Sequence, residues 1–279
     1  MKMDLYTETT FKCSKLITQH YSTSFTLGIK TLNKKYHFPI YAVYGFVRYA
    51  DEIVDTFHDY DKKTLLSRFE SDTYQAIEEK ISLNPVLHSF QLVVNEYKIE
   101  KPLIAAFLKS MEMDLYEDSY DQQSYETYIY GSAEVVGLMC LRIFCEGDDS
   151  NYQKLLPYAK SLGSAFQKVN FLRDIKSDFQ DRGRVYFPNV DFSQFDKIKK
   201  QAIETDIQRD FDHAMIGVKM LPNGARMGVY LAYVYYIQLF RKIKKLPPSN
   251  VMHVRVRIPD FNKMLLLVKS YVKHHANAI

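Results

Sequence analysis

Apolar residues along this chain recur at helical spacing almost everywhere, and that periodicity limits the folds open to it more than any other feature. Ile104, Phe107, Leu108 and Met111 form one stripe, and Phe90, Val93, Val94 and Tyr97 form another. Sustained alternation of apolar and polar residues, the mark of a half-buried strand, is hard to find; only Val254 to Arg257 passes for a strand fragment. The pattern predicts an all-α fold of about ten helices. Start signals agree: Asp61 is a candidate N-cap, and Asn84-Pro85 places a cap before a proline at the first helical position. Expected helices run from Phe11 to Gln19, Ile40 to Phe57, Ser124 to Phe144, Tyr152 to about Phe179, Phe192 to Val218, Arg226 to Lys245 and Phe261 to His275. Tyr21-Ser22-Thr23-Ser24-Phe25 breaks the first of these with hydroxyls that compete for backbone hydrogen bonds. Ser124 to Phe144 is apolar nearly all round and reads as a central helix. No repeat, low-complexity tract or linker divides the chain, so the 279 residues are expected to form one domain.

On that helical frame, Asn170, Asp174 and Asp178 stand four apart and share one face, with Val169, Phe171, Leu172 and Ile175 crowding beside them. Half-buried carboxylates need a counter-charge, and a divalent cation supplies one. Oxygen ligands without His or Cys favour Mg²⁺ over zinc, with Mn²⁺ as the alternative. A second pair, Asp51 and Asp55, has the same spacing. Tyr44 and Arg48 precede it at spacings that keep all four on one face of their helix. If the two pairs face each other across a cavity, they can hold metal ions that grip a diphosphate. Arg48 and Arg173 either bridge their neighbouring carboxylates or serve that anion. Asp114 and Asp118 form a third acidic pair, expected to be structural or to support the other two. Gln167, one turn before Asn170, lies on the same wall.

Composition removes several other functions. The charge balance, 37 basic against 33 acidic residues, is too even for a nucleic-acid partner. Cys13, Cys140 and Cys145 have neither zinc-site spacing nor an even count, and Cys140 and Cys145 sit in an apolar run, which predicts buried thiols in a reducing cytoplasm. The first eight residues lack a signal-peptide core, and no apolar run is expected to span a bilayer. A soluble protein making peripheral contact with a membrane surface is the expectation. The 22 Tyr and 18 Phe, against no Trp, fit a core but also a dry pocket whose aromatic faces stabilise a carbocation.

The chain resembles the squalene/phytoene synthase family along nearly its whole length. Tyr21-Ser22-Thr23-Ser24-Phe25 is similar to the family's hydroxyl-rich segment, and Arg48-Tyr49-Ala50-Asp51-Glu52-Ile53-Val54-Asp55 to its first aspartate-rich motif. Tyr130-Gly131-Ser132-Ala133 resembles its central-helix segment. Asn170-Phe171-Leu172-Arg173-Asp174 followed by Asp178 is similar to the second aspartate-rich motif, and the tail Arg182-Gly183-Arg184-Val185-Tyr186-Phe187-Pro188 looks most like phytoene synthases. The departures are Glu52 for Asp, Phe171 for Ile, and Glu134 for Gly, the last placing an acid near the pocket wall.

The resemblance implies a helical prenyl-synthase fold around a central cavity with Mg²⁺ and isoprenoid diphosphate substrates. It implies Asp51, Asp55, Asp174, Asp178 and Asn170 at the metal, and Arg48, Arg173 and Arg255 on diphosphate oxygens. Ser22, Phe25, Tyr44, Gln167 and Tyr236 would line the chamber. The implied reaction joins two C20 diphosphates head to head into phytoene without NADPH. A C15-using squalene or dehydrosqualene synthase is the alternative, and an inactive helical scaffold is the non-enzyme reading.

Overall fold

The computed structural model describes residues 4–117, 119–181, 183–188, 190, 195–259, 266–267 and 270. Its helices are α1 (Leu5–Tyr21), α2 (Thr23–Lys30), α3 (Lys34–Asp55), α4 (Lys62–Glu79), α5 (Pro85–Tyr97) and α6 (Lys101–Tyr116). They continue with α7 (Gln122–Ile129), α8 (Val135–Cys145), α9 (Asp149–Ile175), α10 (Lys197–Met220), α11 (Asn223–Lys244) and the short α12 (Pro248–Val251). Two π-turns, Tyr130–Glu134 and Lys176–Asp181, interrupt the sequence between α7 and α8 and directly after α9. Among the described residues there is no strand; Val254 to Arg257 is irregular, and the single bridge pairs Ser119 with Val185. The all-α expectation holds.

Local chemistry explains most boundaries. Asp61 accepts the Thr64 amide at 3.1 Å, and Asn84 accepts those of Val86 and Leu87 ahead of Pro85 in the first turn. Ser22 both ends α1 and caps α2: its extended backbone breaks the helix, and its hydroxyl accepts the Phe25 amide at 3.2 Å. The hydroxyl-rich break is therefore one residue wide, and α1 is longer than the expected Phe11–Gln19.

Two expected helices differ in kind. The central one is split by its π-turn, where Gly131 lies so close to α6 that a Cβ would stand 2.3 Å from the Ala106 carbonyl oxygen. The run Gln122–Cys145 is also long and apolar enough to cross a membrane, contrary to the expectation of no such run. It is a core element all the same, with Val135, Leu138, Met139, Leu141 and Ile143 buried. The stripe helix ends as α-helix at Ile175 and continues as a π-turn. Asp118, Arg182, Phe192 and the Phe261 to His275 helix, apart from residues 266–267 and 270, lie outside the described residues.

The apolar interior has two parts. In one, Phe46 stacks on Phe90 at 3.9 Å and packs against Phe69 and Phe107. In the other, Phe171 stacks on Tyr186 at 4.2 Å, and Phe211 meets Tyr233 and Phe240. Helix α9 belongs to both, through Tyr152 and Leu155 at its start and Ala165 to Ile175 at its end.

Candidate active site

Between α2, α3, α8, α9, α10 and α11 lies a cavity of about 400 Å³, within the range of small-molecule sites. Its depth follows from which residues meet. Phe25 packs on Tyr44 at 5.3 Å, and the Tyr236 hydroxyl donates to Asn170 Oδ1 at 3.3 Å, so α2, α3, α9 and α11 converge at one end, the mouth. Gly163 of α9 lies against Ala133 and Glu134, Gly137 against Ala159, and Phe144 edge-on to Tyr36 at 5.3 Å. Helices α8 and α9 therefore run antiparallel, and Leu141, Phe144, Leu155 and Leu221 form the floor. Cys140 lines the wall as a free thiol; burial pushes it up to about 12, so it stays protonated and inert.

The residues singled out from sequence divide into two groups. Phe25, Tyr44, Asp51, Gln167, Asn170 and Tyr236 line the cavity. Tyr236 also stacks on Phe166 at 3.9 Å, whereas the nearby Tyr233 is buried against Phe211 and does not line the cavity. The adjoining Tyr235 lines the cavity as well, so both tyrosines of this pair reach it. Ser22, expected in the chamber, is not among the residues lining the cavity; its hydroxyl caps α2 instead, accepting the Phe25 amide.

The second group rings the mouth. The Arg48 guanidinium lies 4.3 Å over the Tyr21 ring, bonds Glu52 and approaches Asp51 at 3.8 Å. Its Nε is buried without a hydrogen-bond partner. On the opposite wall, Arg173 Nε donates to both oxygens of Asp174, at 3.0 and 3.2 Å, while Arg255 Nε stands 2.8 Å from Oδ1. Asp55 and Asp178 are half-buried, and Asp178 sits in the second π-turn, where its carbonyl accepts the Arg184 amide at 2.7 Å.

Negative charge accumulates here. Burial pushes Asp51 up to about 7, opposed by Arg48 and reinforced by Asp55, Asp114 and Glu52. Asp51 is about a third exposed, but that exposure opens onto the cavity, which reconciles it with a strongly desolvated carboxyl. Asp114 is pushed up to about 6 by burial, although Arg184, Tyr128 and Tyr186 all contact it. Among the described residues no group of three or more acids, histidines or cysteines forms a closed metal cage. Mg²⁺ does not need one: it usually takes one or two carboxylates and completes its shell with water and substrate phosphate. Paired acids on each wall fit such an ion.

Glu134 is not among the lining residues. It sits 3.5 Å from Lys160 in the first π-turn, beside a buried cluster the sequence reading missed. There Lys168 of α9 bonds Asp206 and Asp210 of α10, at 2.7 Å for Asp210, which also accepts from Ser164 at 3.0 Å.

Comparison with known proteins agrees with this architecture. The squalene/phytoene synthase family model matches residues 18–262. A phytoene synthase of Arthrospira platensis is 26% identical over 291 residues, covering 92% of this chain and 91% of that protein. A 4,4'-diapophytoene synthase of Staphylococcus haemolyticus is 24% identical over 197 residues, 70% of this chain but only 66% of that relative. A crystal structure of a dehydrosqualene synthase in complex with ligand superposes with a TM-score of 0.80 at 22% identity, covering 96% of this chain and 98% of that one.

Proposed function

The chain belongs to the squalene/phytoene synthase family of head-to-head prenyl-condensing enzymes, and we propose that it joins two C20 prenyl diphosphates into phytoene. The observation that carries this reading is the cavity itself, apolar to its floor and acidic at its mouth. Its lining residues on α9 run from Asn170 to Leu155, 15 positions or about 22 Å at 1.5 Å per residue. An extended four-bond isoprene repeat spans about 4.8 Å, scaling from three backbone bonds, so a C20 chain needs about 19 Å and a C15 chain about 14 Å. The depth supports the longer substrate.

Each residue then has a task. Asp51 and Asp55 on one wall, and Asn170, Asp174 and Asp178 on the other, would hold Mg²⁺. An ion held there would supply positive charge against the departing diphosphate. Arg48, Arg173 and Arg255 bind diphosphate oxygens. The present Arg173 and Arg255 contacts to Asp174 would then be shared with substrate. Ionisation breaks the allylic C–O bond with its electron pair leaving on diphosphate. The double bond of the second chain attacks the cation, and proton loss closes a cyclopropylcarbinyl diphosphate. A second ionisation, rearrangement and proton loss gives the central triene, with no reductant consumed. Phe25, Tyr44, Phe166 and Tyr236 present aromatic faces to the cation, and the apolar wall excludes the water that would quench it. Tyr21 and Phe25, exposed at the mouth, suit contact with a lipid surface on product release, in a protein working in the cytoplasm.

C15 use is the second reading, favoured by the diapophytoene synthase relative. The test is purified protein with Mg²⁺ and each of the C15 and C20 diphosphates, with and without NADPH, and products identified by mass. Phytoene from C20 without NADPH is expected. A strong preference for C15, or a product seen only with NADPH, overturns the C20 assignment.

A further inference from the structure

Glycine is the poorest helix former after proline, so a glycine inside a helix calls for a reason. Most of those here have one in close approach. A Cβ at Gly131 would stand 2.3 Å from the Ala106 carbonyl oxygen, at Gly163 2.8 Å from that of Ala133, and at Gly228 2.3 Å from Leu32 Cδ2. Gly28, within α2, is different. A Cβ there would meet only the Gly228 carbonyl oxygen, at 3.8 Å, an ordinary van der Waals contact. Alanine would fit, and packing does not ask for glycine.

Gly28 lines the cavity, so the open space its Cβ would enter is cavity space. Its depth is set by its neighbours: Phe25, one turn earlier, packs on Tyr44 at the mouth, and Leu32, one turn later, covers Gly228. A prenyl chain running from the mouth to Phe144 and Leu155 passes this point. We propose that the missing side chain at Gly28 sets how long a prenyl chain the cavity admits, a role that rests on the prenyl diphosphate reading above. Gly28 faces Gly228, about 12 Å along α11 from Tyr236 at the mouth, so a side chain there obstructs the channel below the diphosphate end, at the level a shorter chain reaches only with its tip. It therefore penalises a longer chain more than a shorter one.

The test is binding of the unreactive S-thiolodiphosphates of the C15 and C20 chains, titrated with Mg²⁺ into wild type, Gly28→Ala and Gly28→Leu. The C20:C15 affinity ratio should fall at least tenfold in Gly28→Leu and about two- to fivefold in Gly28→Ala, since each buried CH₂ lost from contact is worth about fourfold. The melting temperature of Gly28→Ala should equal or exceed that of wild type, which separates the effect from damage to the fold. An unchanged ratio in folded Gly28→Leu overturns the proposal while leaving the functional reading intact. Should Gly28→Leu not fold, an unchanged ratio in Gly28→Ala does the same. If wild type binds neither analogue, the functional reading falls and this inference with it.

Discussion

Replacing Lys168 by Met tests whether the buried cluster between α9 and α10 fixes the helix that carries the second acidic motif. The Lys168 side chain is only 10% exposed, and its Asp210 partner 15%. Removing the ammonium leaves Asp210 buried with Ser164 as its remaining donor, a loss of the kind that costs about 3–5 kcal/mol. Asp206 is 36% exposed, so water screens it and it adds little. The expected destabilisation is about 3 kcal/mol, at the low end because Ser164 persists. For 279 residues, the entropy of unfolding at about 2.1 cal/mol/K per residue is roughly 0.6 kcal/mol/K, so the melting temperature should fall about 5 °C. Urea unfolding followed by circular dichroism measures the energy and thermal scans the shift. The double variant Lys168→Met with Asp210→Leu removes the stranded charge and should regain most of the loss. A single-variant cost below about 1 kcal/mol, or a double variant no better than the single, refutes the reasoning.

Two further outcomes follow from the site. Asp51→Asn or Asp174→Asn removes a carboxylate charge at nearly constant shape, and either should abolish turnover while the far-ultraviolet spectrum stays helical; near-normal activity at limiting Mg²⁺ would sink the metal assignment. Asp114, with a 6% exposed side chain, is held near 6 by burial, above its ordinary 3.8. The folded state then binds the extra proton between those values, so this group's contribution to stability falls as pH rises from about 4 to 6 and is constant above, by about 3 kcal/mol at most. Comparing urea unfolding of wild type and Asp114→Asn at both ends of that window, in EDTA, isolates the term; parallel pH dependence of the two proteins would contradict it.

What was legible in the sequence was whatever depends on neighbours within two turns. Asn84-Pro85 and Asp61 announced their helices because a cap acts on amides two or three residues away. Asp51 with Asp55, and Asn170 with Asp174, were legible for the same reason, since four residues on a helix is one face. Contacts made across the fold were not. Lys168 sits one residue from Gln167 and reads as a solvated base, because Asp206 and Asp210 lie 38 and 42 residues away. The first π-turn escaped for a related reason: the apolar pattern through Ser132 and Glu134 is equally consistent with an unbroken helix. What distinguishes the two is the backbone hydrogen bond from the Val135 amide to the Tyr130 carbonyl, five residues back.

Glu134 lies near the pocket wall, as its departure from Gly implied: it adjoins Ala133 and packs on Gly163, both of which line the cavity. Its carboxyl lies 3.5 Å from Lys160, within the field of Lys168 and Asp210. Burial raises its proton affinity and Lys160 opposes the rise, which is the behaviour of a paired structural acid. The same stretch of backbone thus separates two chemistries: an apolar wall on the Ala133 side, where a cation must be kept from water and from stray carboxylates, and a charged seam on the Glu134 side that joins α8, α9 and α10. A carboxylate pointing the other way would place a fixed negative charge beside the hydrocarbon chain, where it could trap the cation or draw in water. Glu134, paired with Lys160 in that turn, is accordingly not among the residues that line the chamber.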